Sequence, residues 1–261
     1  MLALVVACQQ QPKPPAKPAE ITFDGAEVTD AAAKVAHGER LTHILGCTGC
    51  HNKGLVGDRF YELYASNLTR EVPKYSDAQF DRLLRHGERP NGKDLDGMPS
   101  EVFQHLSDPD VADLLAYLRT LKPTGIPTQP ALPFTEETKK LIAAGELKPA
   151  AEWVRLLKDK TPVDLGPRYA LGRYVTMVTC AECHGEQLNG DSHPHPGAPP
   201  NLIVVSGYSR AEFEKLITQG VPTGNRKLRE MMSGVARTRF NHLTPHERDE
   251  LYAYLKARAE R

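Results

Sequence analysis

The sequence predicts an all-α protein made of two tandem domains joined by a Pro-rich and helical connector. Three observations carry this. Two strings of one form, Cys47-Thr-Gly-Cys50-His51 and Cys180-Ala-Glu-Cys183-His184, each stand near the start of a similar stretch. The two stretches align without a gap from Tyr75 to Gly87 and from Tyr208 to Gly220. Apolar residues recur at helical spacing, and the two-residue alternation of half-buried strands is absent.

The chain opens with Met1-Leu-Ala-Leu-Val-Val-Ala-Cys8, which resembles the end of a bacterial lipoprotein signal, so 1–8 is read as a signal remnant with Cys8 as the lipidated residue. No stretch approaches the ~20 apolar residues of a membrane-spanning helix, which leaves the lipid as the anchor. Residues 9–29 begin Gln-Gln-Gln-Pro-Lys-Pro-Pro-Ala-Lys-Pro. Such composition favours extended polyproline II and reads as a tether.

The first domain is placed at 30–122. A helix is expected from Asp30 to about Leu45, and Gly38 inside it marks a close approach of a second helix, since a helical glycine otherwise costs about 1 kcal/mol. Next comes the first C-x-x-C-H. Its two thiols fall on one face of a helical turn. They can add to the two vinyl groups on one edge of a porphyrin, and the histidine that follows is carried under the ring. Zinc would need two such pairs converging on one metal, or a histidine pair. A thioredoxin-type pair would lie in a βαβ pattern, which is missing. The strings therefore predict two covalently bound haem c groups. The four cysteines Cys47, Cys50, Cys180 and Cys183 are consumed in this way, and no disulfide is expected.

A middle helix starts at Ser76, where Ser76 and Gln79 form a capping-box pattern. A closing helix carries Leu114, Leu118 and Leu121. The connector, 123–166, begins Pro123-Thr-Gly-Ile-Pro-Thr-Gln-Pro and continues as one expected helix from Thr135 to about Lys158. Trp153 in it is read as a packing anchor. The second domain, 167–261, repeats the order. A helix runs from Arg168 to about Thr179 with Gly172 inside it. The second haem string follows, then a helix capped by Ser209 and Glu212. The closing helix is capped by Thr244 and Glu247, with Pro245 at its first position.

Lysines and arginines number 33, as do aspartates and glutamates. This balance argues against a nucleic-acid partner. From Val205 to Arg239, seven basic residues stand against three acidic ones, a rim that would steer an acidic redox partner.

At this point the chain resembles a di-haem member of the class I cytochrome c group. The resemblance implies three main helices wrapped around each haem, the first and last crossing. It implies histidine ligands His51 and His184 below each iron and a methionine above. In the first domain the methionine is Met98, in Gly97-Met98-Pro99. In the second, the gapless alignment pairs Met98 with Met231, whereas the related pattern Met-Ser-x-Val-Ala-Arg favours Met232, and both stand. The loops at Asn67-Leu68 and Pro199-Pro200-Asn201-Leu202 correspond to the family loop whose backbone carbonyl holds the proximal imidazole. His105 and His242 are read as packing or surface histidines, and His193 and His195 as members of an exposed loop.

The resemblance further implies a one-electron carrier of the periplasm, not an enzyme. Its donor would be a quinol-oxidising complex or a dehydrogenase, and its acceptor a terminal oxidase or reductase. The alternatives are a di-haem peroxidase, a sulfur-compound oxidising cytochrome, or the haem subunit of a larger dehydrogenase or oxidase.

Overall fold

The computed structural model describes residues 20–190, 198–224, 226 and 228–261. Cys8, residues 9–19 of the expected tether, and the His193 and His195 loop lie outside them.

The first half begins with α1 (Ala31–Ile44), capped by Asp30, which accepts from Ala33 N at 2.9 Å. Next are α2 (Cys47–Cys50), a two-stranded antiparallel hairpin of β1 (Asp58–Phe60) and β2 (Leu63–Ala65), and α3 (Leu68–Glu71). Then come α4 (Asp77–His86), α5 (Ser100–Phe103) and α6 (Asp108–Thr120). The hairpin is too short to show alternation in sequence, and Tyr61 at its tip takes a positive φ of 52°.

The connector holds two helices, α7 (Glu136–Ala143) and α8 (Ala150–Leu157). This corrects the single helix expected from Thr135 to Lys158. Gly145 turns left-handed at φ 73° just past α7, and Pro149 sets the start of α8. Helix α8, which bears Trp153, packs on α4 and α5 of the first half.

The second half runs α9 (Ala170–Val175), a π-type turn over Thr176–Cys180, α10 (Ala181–His184), α11 (Arg210–Gln219), α12 (Glu230–Thr238) and α13 (Pro245–Ala259). All three expected capping boxes form, at Ser76, Ser209 and Thr244. In each half the first helix crosses the last at a glycine. A Cβ on Gly38 would fall 2.0 Å from Asp113 O, and one on Gly172 would fall 2.1 Å from Glu250 O. Only a hydrogen fits at either crossing.

The halves share one continuous apolar core, with Leu41, Ile44 and Leu114 on one side and Val175, Phe213 and Leu251 on the other. Residues 20–29 are not a loose tether. Phe23 is fully buried and its ring lies 5.3 Å from that of Tyr174. An aromatic ring brings far more apolar surface than the prolines before it, and its burial fastens this part of the segment to the seam.

Candidate metal centres

Each C-x-x-C-H string sits in a helical turn that follows a long first helix. The first is reached through Gly46, at φ 79°, which lets the chain turn from α1 into α2. The second continues from α9 through the π-type turn without a break.

The two histidines are held alike. His51 Nδ1 donates to Ser66 O at 2.7 Å, and His184 Nδ1 donates to Pro200 O at 2.8 Å. A carbonyl can only accept, so the proton sits on Nδ1 and the Nε2 lone pair is free for a metal. Burial holds both imidazoles below the usual value, against the opposing pull of these hydrogen bonds, which keeps them in the neutral form that ligates. The carbonyls belong to the two loops singled out in the sequence, with Ser66 just before Asn67.

Asn67 has a further task that the sequence did not reveal. Its fully buried side chain donates to Thr124 O and Ile126 O, both at 2.8 Å. Arg70 Nη2 donates to Gly125 O at 2.8 Å. The start of the connector is thereby fastened over the loop that orients His51.

Cys180 is buried, Cys47 and Cys50 are half-buried, and Cys183 is the most open of the four. Burial pushes Cys47 up to about 12 and Cys180 up to about 11, and it raises Cys50 and Cys183 as well. In the second half a cavity of about 410 Å³ is lined by Cys180, Cys183 and His184, by Met232, and by apolar side chains such as Phe213 and Leu251. Met231 lines the same cavity, so two thiols, an imidazole, two thioethers and hydrocarbon meet in one space, a donor set that suits a covalently held porphyrin. In the first half Cys47 and Met98 both pack against the core, and Met98 is part-buried just before α5.

The two methionines of α12 differ. Met232 packs against the core, whereas Met231 is 76% exposed. His242 stacks on His43 with ring centroids 4.2 Å apart, so it serves packing. Burial lowers the pKa of His105.

Residues 169–259 match the family described as Cytochrome c, and residues 33–118 match Cytochrome C oxidase, cbb3-type, subunit III. A "Diheme cytochrome c-type" from Cereibacter sphaeroides is 26% identical over 264 aligned positions, covering 85% of each chain. The "Fructose dehydrogenase cytochrome subunit" of Gluconobacter japonicus is 28% identical over 180 residues, covering 60% of this chain and 36% of that protein. A "Cbb3-type cytochrome c oxidase subunit CcoP" of Helicobacter pylori is 33% identical over 87 residues, covering 33% of this chain and 27% of that one. The chain thus spans about a third of the length of the first of these dehydrogenase and oxidase subunits and less of the second. Two cytochrome c domains in one chain, with a diheme relative aligned along most of both lengths, make this chain a di-haem class I c-type cytochrome carrying two covalently bound haem c groups.

Proposed function

We propose that the chain carries electrons singly between redox proteins, with one haem held at Cys47, Cys50 and His51 and the other at Cys180, Cys183 and His184. Met98 and Met232 would be the distal ligands; Met231 lines the same cavity and is the alternative to Met232. The domains are taken as 30–122 and 167–261, with 123–166 as connector.

The observation that carries this reading is the matched pair of imidazole bonds, His51 to Ser66 O and His184 to Pro200 O, which leave both Nε2 atoms free. The haem supplies reversible one-electron chemistry at iron when bound. The protein's residues do the rest. Four thiols fix the ring edges, two backbone carbonyls orient the histidines, and the apolar walls exclude water. With a histidine and a methionine both holding each iron, no position would stay open for a substrate, which speaks against a peroxidase or a sulfur-compound oxidase.

Relatives that are subunits of dehydrogenases and of an oxidase support redox proteins as partners. Donors would be a dehydrogenase or a quinol-oxidising complex, and acceptors a terminal oxidase or reductase. A fixed haem subunit of a dehydrogenase is the second reading. It is favoured by the alignment of about 60% of the chain with cytochrome subunits of fructose and quinone-linked alcohol dehydrogenases. The periplasm, with lipid at Cys8 as anchor, is the location this reading gives.

The test is stopped-flow mixing of the holo-protein, matured in a host that attaches c-type haem. Full reduction by a quinol-oxidising complex or dehydrogenase and reoxidation by an oxidase, without peroxide turnover, is expected. Peroxide or thiosulfate turnover at one haem would overturn the carrier reading.

A further inference from the structure

The two C-x-x-C-H strings meet across the seam around one ion pair. Arg239 follows α12 in the second half, yet its Nε donates to Ile44 O at 3.1 Å, at the end of α1. Its Nη1 donates to Glu182 Oε2 at 2.8 Å, inside the second string. A Cβ on Gly46, the residue before Cys47, would fall 2.8 Å from the guanidinium carbon. The guanidinium thus lies against the backbone that enters the first string while it is paired within the second.

The pair is unequally covered: the Arg239 side chain is 11% exposed and that of Glu182 28%. Arg239 also lines the cavity that holds Cys180, Cys183 and Met232. Its Nη2 is buried and has no hydrogen-bond partner among the described residues. Glu182 and Ile44 O satisfy Nη1 and Nε, but the remaining buried N–H is left unpaired, which is costly.

Two thioethers would hold one edge of each porphyrin, and Arg239 lies beside the backbone entering the first string and pairs within the second. We propose that Arg239, held by Glu182, is the positioning residue that sets the two attached edges against each other and places both irons in one shared field. This rests on the reading of the two strings as attachment sites. A cation favours the reduced iron over the oxidised one and an anion does the reverse, with the less exposed Arg239 screened less than Glu182.

The experiment uses the holo-protein in four forms: wild type, Arg239→Gln, Arg239→Lys and Glu182→Gln. Covalent haem per chain is counted first by mass. Fewer than two haems in the wild type would overturn the attachment reading itself. With two present, both potentials are measured by spectroelectrochemistry, and the haem–haem exciton signal by Soret circular dichroism. Arg239→Gln is expected to shift both reduction equilibria about threefold toward the oxidised form, ~30 mV at 59 mV per tenfold for one electron, and to weaken the exciton signal. Glu182→Gln is expected to shift both haems the other way. Arg239→Lys is expected to restore most of the potential shift. Movement of one haem alone, or of neither, in chains with native helix content would overturn the proposal. If Arg239→Gln does not fold, the opposite-signed shift of both haems in Glu182→Gln decides the matter.

Discussion

Arg40 of α1 grips the Glu247 carboxylate of α13 with two nitrogens, Nη1 to Oε2 at 2.8 Å and Nη2 to Oε1 at 3.0 Å. Glu247 is fully buried. It also accepts from Asp24 N at 2.8 Å and from its own capping partner Thr244 N at 2.7 Å. A single carboxylate thus caps the last helix of one half, binds the first helix of the other and holds the segment that carries Phe23. A buried pair is worth little against a hydrophobic replacement, but breaking it strands a charge. Glu247→Ala is expected to cost about 3–5 kcal/mol in denaturant unfolding. Arg40→Met with Glu247→Met together is expected to recover much of that loss. A loss under 1 kcal/mol for Glu247→Ala would show that the seam does not depend on this grip.

The two helix crossings make a paired prediction. Gly38→Ala and Gly172→Ala each place a methyl about 2 Å from a backbone carbonyl, so the crossing helix must move. Each is expected to destabilise by about 1–3 kcal/mol, the usual cost of overpacking, seen as a lower thermal midpoint. Gly207→Ala meets nothing within 4 Å and serves as the control.

The methionine assignment is separable by spectroscopy. Met232→Ala is expected to turn one of the two haems high-spin and open to small ligands such as carbon monoxide. Met231→Ala, at an exposed position, is expected to leave both spectra unchanged. The reverse pattern would transfer the ligand role to Met231.

Glu101 of α5 faces the seam. Burial pushes its carboxyl up to about 7, and the charges of Glu182 and Glu186 add to the rise. The folded chain therefore binds this proton more tightly than the unfolded one, whose value is 4.5. Its contribution to stability is full below pH 4.5 and is lost as pH rises through 7, amounting to at most about 3 kcal/mol. Unfolding measured from pH 4.5 to 8 is expected to show this decline in the wild type and to lose it in Glu101→Gln. An unaltered profile in the variant would assign the decline to other groups.

Local signals were legible in the sequence. Ser76 with Gln79, Ser209 with Glu212 and Thr244 with Glu247 mark helix starts because a cap is chemistry between near neighbours. Gly38 and Gly172 announced the crossings because a helical glycine needs a reason. The break at Gly145 and Pro149 was also written in the chain, but a helical reading of the flanking residues overrode it. What could not be read was pairing at a distance. Nothing near Arg239 points to Ile44 or Glu182, and nothing near Asn67 points to Thr124. Such contacts exist only once the helices have packed, and they leave no period or motif behind. Phe23 stood in a stretch that its prolines made look extended, and its burial depends on Tyr174 in the other half.

The most direct test of the central claim is a spectroelectrochemical titration of the doubly loaded protein, with spin state followed by absorption and electron paramagnetic resonance. The proposed histidine and methionine ligands predict two low-spin haems, both at positive potential and both inert to peroxide and sulfite. A haem that is high-spin, strongly negative, or able to bind carbon monoxide when reduced would contradict the electron-carrier account for its domain.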